Sequence, residues 1–179
     1  AKGGRALERT DVFQPGLTAL TLGRDQELRE GGVEPDVVAG HSLGEIAAYA
    51  ASGAITAEEA IEAARIRGQE MARESQSNPG GMLALTGDGA SGHGQALEVG
   101  QRYGCVQVAA WNAPQECVLS GVEAALQAIS RRFPSTRIPV SGQWHGPAMC
   151  GAVAGFRATL ATLNTRPLRA TFVSNRTGD

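Results

Sequence analysis

Gly40-His41-Ser42-Leu43-Gly44 closes the short apolar run PDVVAG and opens an alanine-rich segment. A G-x-S-x-G pattern at a strand-to-helix turn is a nucleophile elbow: the turn strains the central backbone, and the flanking glycines leave room for it to close. Ser42 is thereby pushed into the open at a helix start. There the Leu43 N–H and the positive end of the helix dipole can stabilise an oxyanion formed on an acyl group. A serine hydroxyl also needs a base, and the chain has 3 histidines. His41 neighbours Ser42 on the turn, so its ring points away from the proton to be taken. His93 sits in the turn-like GASGHGQ. His145 follows RIPVSG in GQWHGP, an irregular loop leaving a sheet edge, and is the expected base.

A cation completes the set. Ala60, Ala64, Arg67 and Met71 recur at i, i+4, i+7 and i+11, one core-facing helical stripe, so Arg67 stands where an apolar side chain belongs. An inward guanidinium calls for a carboxylate or phosphate, gripped through two N–H groups. The alternative is a head group that snorkels to the surface or meets a structural acid.

These residues need elements to hold them. The pattern predicts a helix over 14–31 with Pro15 in its first turn, a buried strand over 35–40, and a helix over 43–52 that stops at Gly53. Thr56 and Glu59 form a T-x-x-E capping box that opens a third helix running to about residue 75. From Gly81 the order becomes strand, helix, strand, strand, helix, strand, the split arrangement of a ferredoxin-like lobe. The expected fold class is α/β, with a large catalytic lobe over 1–79 and 141–179 and a small ferredoxin-like lobe over 80–140.

Composition excludes several functions. At 179 residues the chain buries a full core, and a net charge of −2 with no Lys/Arg block argues against nucleic acid. No uninterrupted apolar stretch is long enough to span a membrane. The 3 cysteines, Cys105, Cys117 and Cys150, lack C-x-x-C spacing and read as reduced core residues, which points to the cytoplasm. No metal-ligand pattern stands out, and no cofactor is expected. The chain opens without Met and stops after VSNRTGD, as a fragment of a longer polypeptide would.

GHSLGE, followed in order by RIRGQEM, GGMLAL, WNAPQECVLSG, IPVSGQWHGPAM and VSNRTGD, resembles the malonyl-CoA:acyl carrier protein transacylases and the acyltransferase domains of polyketide synthases. The resemblance implies an α/β-hydrolase-like large lobe with an inserted ferredoxin-like lobe, serving fatty acid or polyketide biosynthesis. It implies Ser42 as the acylated nucleophile, His145 as its base held by the main-chain carbonyl of Asn175, and the Leu43 N–H as an oxyanion donor. Arg67 would clamp the free carboxylate of malonate. His41 and Asn112 would be substrate-site neighbours, and Trp144, just before the base, would favour malonyl over a branched acyl group. The implied partners are malonyl-CoA and the phosphopantetheine thiol of an acyl carrier protein. The Gly-Gln-Gly stretch with which the family begins, and whose glutamine adds an oxyanion donor, does not precede Ala1. An ordinary esterase or thioesterase would instead need an acid between Ser42 and His145, where only Asp88 and Glu116 fall in plausible loops. A non-catalytic docking module of a larger synthase is the other alternative.

Overall fold

A computed structural model describes residues 9–179, a mixed α/β chain whose contacts divide it into one unit over 11–69 and 154–179 and a second over 70–153 with the residues just before Asp11. The expected small lobe lies inside the second unit, which reaches further at both ends.

The first unit begins with α1 (Thr10–Glu30). Gln14, Thr18 and Leu22 recur every four residues along it and are buried, while Leu17 and Leu20 stay exposed. The helix starts four residues earlier than expected and runs through Pro15, which has no N–H to donate to the preceding turn. A short strand, β1 (Val37–Ala39), leads through the elbow into α2 (Gly44–Ala51) and then α3 (Ala57–Ser77). Ile46, Ala47, Ile55, Ala60, Ala63 and Ala64 form the buried core, with Phe156 and Leu163 packed against it. Small alanines on facing helices let the backbones approach closely. Arg29, near the end of α1, donates from Nη2 to Ala51 O at 2.7 Å and from Nε to Asp25 at 2.8 Å, and so ties down the far end of α2. The last strand, β6 (Thr171–Val173), pairs parallel with β1, with Val38 opposite Phe172 and Ala39 opposite Val173. Phe172 stacks on Tyr49 of α2 with ring centroids 4.3 Å apart.

The second unit carries β2 (Gly81–Thr86), α4 (Asp88–Ser91), α5 (His93–Gln101), β3 (Val106–Ala113), β4 (Glu116–Gly121), α6 (Glu123–Ser130) and β5 (Ser135–Ile138). Its four strands lie in the order β3-β4-β2-β5, every neighbour antiparallel. The register sets Leu83 against Leu119 and Leu85 against Cys117. These pairs meet Leu126 and Ile129 of α6 in a core whose members are almost wholly buried. β5 ends at Ile138, before Pro139, and the loop beyond it carries His145 into a 3-10 turn (Pro147–Met149) and α7 (Cys150–Leu160).

α7 is not read from the sequence, where Gly151 and Gly155 weaken its propensity signal, and the reading of the cysteines needs correction. Of the cysteines only Cys117 is in a core, where burial pushes its thiol up; Cys105 and Cys150 are exposed, because each sits at an element boundary.

The capping box at the start of α3 is made in both directions: Thr56 N–H donates to Glu59 Oε2 at 2.6 Å and Glu59 N–H to Thr56 Oγ1 at 3.1 Å. The Thr56 N–H holds the Glu59 carboxyl below its ordinary value, with Arg166 adding to the pull and desolvation opposing it. A lowered carboxyl stabilises the fold above its unfolded-state value and stops doing so as the pH falls through its folded-state value. Thr56→Ala should lose about 1 kcal/mol in urea unfolding at neutral pH, and because it keeps the Thr56 N–H that holds the Glu59 carboxylate, the difference from the parent should persist once acid protonates Glu59.

Candidate active site

Parallel pairing of β1 and β6 sends both chain segments out at the same edge, the strand C-terminal end where α/β folds place their sites. From β1 the chain turns through Gly40 and His41 to Ser42, whose φ is +54°. A non-glycine residue in the left-handed region is strained by about 1–3 kcal/mol and persists only where its surroundings impose it. The imposition is visible: a Cβ on Gly40 would lie 2.0 Å from the carbonyl carbon of Gly44, so the turn closes only over glycine. Gly44 differs from the sequence-based expectation. A Cβ there would meet nothing within 4 Å, so its glycine is not required by the turn.

The first turn of α2 bonds Gly44 N–H to His41 O at 2.9 Å, Glu45 N–H to Ser42 O at 3.2 Å and Ile46 N–H to Leu43 O at 3.1 Å. Among the described residues no backbone bond of this turn uses the Leu43 N–H, one of the orphan donors of a helix start. His41 is exposed.

Arg67 reaches the nucleophile directly. Its Nη2 donates to Ser42 Oγ at 3.0 Å and its Nη1 to Gln14 Oε1 at 2.6 Å. Ala60 and Ala64 on the same face are fully buried, while Arg65 forks onto Glu62 on the polar face at 2.7 and 2.6 Å. Burial pushes the Arg67 guanidinium below its ordinary value, and the Glu45 carboxylate pulls it back. Glu45 also acts on the far side of the elbow helix. Its Oε1 accepts the backbone N–H of Asn175 at 2.9 Å, fixing the segment just beyond β6 beside α2.

Gln14 and Glu45 carry no clear signal in the sequence. Gln14 is legible as a polar residue in phase with Thr18 and Leu22, but only for a helix that starts at Thr10. Glu45 reads as an ordinary acid in the first turn of a helix, complementing its dipole.

Ser42, Leu43, His41, Arg67 and Asn175 all belong to the first unit, and Asn112, Trp144 and His145 to the second. His145 is exposed, and its φ is +58°. Among the described residues it and Ser42 are the non-glycine residues with left-handed backbone. Trp144 is half-buried and donates from Nε1 to Ser75 Oγ at 3.4 Å. Asn112 is exposed at the β3–β4 hairpin, its Nδ2 on Glu116 Oε1 at 2.6 Å. Among the described residues no cluster of His, Cys, Asp and Glu could hold a metal ion, and no helix is long and apolar enough to cross a membrane.

The family model described as acyl transferase domain matches residues 2–179. The malonyl CoA-acyl carrier protein transacylase of Mycobacterium tuberculosis is 37% identical over 178 residues, covering 94% of this chain and 57% of that protein. A phenolphthiocerol synthesis polyketide synthase of Mycobacterium marinum is 33% identical over 97% of this chain and 8% of its own length. Among solved structures, the M. tuberculosis transacylase superposes with a TM-score of 0.83 at 34% identity over 95% of this chain and 57% of that one. The acyltransferase domain from the second module of the salinomycin polyketide synthase gives 0.82 at 34% identity, over 98% and 42%. The chain thus spans a little over half the length of the transacylases it matches.

The two elbow glycines should separate on mutation. Gly40→Ala forces the turn apart and should lower stability by about 1–3 kcal/mol. Gly44→Ala, at a helical position with open space, should stay within about 0.5 kcal/mol of the parent or above it. Urea unfolding of both variants is the check.

Proposed function

Because this chain belongs to the acyl transferase domain family, we propose that it carries the acyl-serine centre of a transacylase that moves a malonyl group from malonyl-CoA to the phosphopantetheine thiol of an acyl carrier protein. The observation that carries this reading is the Arg67 guanidinium 3.0 Å from Ser42 Oγ. A malonyl ester on Oγ has its free carboxylate two carbons beyond the ester carbonyl, within easy reach of a cation already at the oxygen. Gln14, a neutral acceptor, orients Arg67 without cancelling its charge, so the positive charge is left for the substrate.

The reaction runs in two halves. Ser42 Oγ attacks the thioester carbonyl while its proton passes to His145, and the Leu43 N–H receives the oxyanion. Collapse breaks the C–S bond, and coenzyme A leaves with the proton from His145. The carrier thiol then gives its proton to His145 and attacks the malonyl ester; Ser42 leaves as the alkoxide and takes that proton back. The Asn175 carbonyl orients the imidazole, as the family resemblance implies. Trp144 limits branching at the acyl α-carbon, and His41 and Asn112 line the substrate's approach. The antiparallel order β3-β4-β2-β5 supports a ferredoxin-like lobe, and the parallel β1–β6 pair ending at the elbow supports an α/β-hydrolase-like one. The free thiols of Cys105, Cys117 and Cys150 suit a reducing cytoplasm.

The test is intact mass after mixing malonyl-CoA with the full-length polypeptide that carries these 179 residues. One malonyl group should add, and Ser42→Ala should abolish it; an adduct that survives the mutation places the nucleophile elsewhere. His145→Ala should slow acylation by about 10² to 10⁴. A rate within about threefold of the parent rules it out as base.

Arg67→Ala should lower malonyl transfer far more than acetyl transfer, because an acetyl group has no carboxylate for the guanidinium to meet. Equal losses with the two thioesters make Arg67 structural.

A further inference from the structure

His145 needs a reason to keep its left-handed backbone; a Cβ on its neighbour Gly146 would lie 1.9 Å from Gln107 Nε2, but that contact is the far end of a flexible side chain and not backbone as at Gly40. The reason lies in the second unit, in the segment from Ser75 to Gly80 where α3 ends. Gln143, two residues before the histidine, is 5% exposed although its side chain is a primary amide. Its Nε2 donates to Pro79 O at 2.9 Å and, at a longer 3.4 Å, to Asn78 O. On the other side of the histidine, Asn78 Nδ2 donates to Ala148 O at 3.3 Å. Trp144 Nε1 reaches Ser75 Oγ, which itself donates to Met71 O at 2.8 Å.

Two glycines show how closely the pieces fit. A Cβ on Gly80 would lie 2.4 Å from Gln143 Cγ, and one on Gly142 would lie 2.0 Å from Ser75 Oγ. Residues 142–144 and Ala148 are therefore seated on 75–80, and the three residues between these anchors begin with His145 in the left-handed region and Gly146 extended. The exposed side chain of His145 stands on a backbone held from both sides.

We propose that Gln143 is the positioning residue of His145: its buried amide latches the loop to the carbonyls of Asn78 and Pro79 and so imposes the left-handed φ that aims the imidazole. The inference rests on the reading of His145 as the base. An amide serves here because both acceptors are carbonyls, which need N–H donors. A carboxylate of the same shape would face two oxygens with a third, and a thioether would leave both carbonyls without a side-chain donor.

The test uses Gln143→Met, which keeps the length and apolar stem, in the full-length polypeptide, with and without His145→Ala. Misplacing a reacting group by about 1 Å typically costs on the order of a hundredfold, so Gln143→Met should slow acylation by malonyl-CoA about 10- to 100-fold. The KM for malonyl-CoA should hold. In the His145→Ala background the same substitution should change the residual rate by less than about threefold, since the group it aims is gone. A parental rate in Gln143→Met, or an equal loss in both backgrounds, overturns the proposal, the latter by making Gln143 merely structural. A crystal structure of Gln143→Met separates the latch from the base assignment. His145 should move out of the left-handed region, and a φ still near the value of +58° overturns the latch whatever the rates are. A parental rate in His145→Ala would instead remove the base assignment, while the observed φ still decides the latch.

Discussion

The approach of Gly40 to Gly44 is the contact on which the rest of the first unit depends. With only a hydrogen at Gly40, the chain can leave β1, reverse within three residues and enter α2 with Ser42 in a left-handed conformation. A strain of about 1–3 kcal/mol at one residue is a sizeable part of a domain's net stability, so both flanks have to be fixed. On one side, β1 is held by its parallel partner β6; on the other, Ile46, Ala47 and Ala48 bury α2 and Arg29 binds the carbonyl at its end. The same arrangement that holds the turn also delivers Asn175 beside it, because parallel strands in register end at one edge.

Charge is the second constraint. Burying a guanidinium is unfavourable unless hydrogen bonds and a counter-charge offset the loss of water. Arg67 has two acceptors, Gln14 and Ser42, that are both neutral, and a carboxylate, Glu45, that is felt through space. The guanidinium is thus held by neutral acceptors, with the Glu45 carboxylate opposing the cost of its burial.

The residue types with unusual positions were legible. Ser42 announced itself by its glycine and strand-helix context, and Arg67 by occupying an apolar phase among the buried Ala60, Ala64 and Met71. The capping box, the break at Gly53 and the strand-helix rhythm after Gly81 are local signals, and the elements follow them closely. Gln14 was hidden because its burial depends on where α1 begins, and Pro15 suggested a later start. Gln143 was hidden more deeply, since a glutamine in an irregular loop carries no periodic signal of burial.

Sequence by itself therefore determined the turn over Gly40, most of the helices and which side chains were out of place for their phase, because these are set by sterics and spacing within a few residues; the start of α1, the helix α7 and the dispensable Gly44 lay outside that reach. Tertiary structure decided the partners: Gln14 on Arg67 across 53 positions, Asn175 on Glu45 across 130, and Gln143 on the 78–79 carbonyls across more than 60. Each is a hydrogen bond whose geometry is satisfied only after core packing has set the backbone of both partners, and no local pattern records the separation that folding closes.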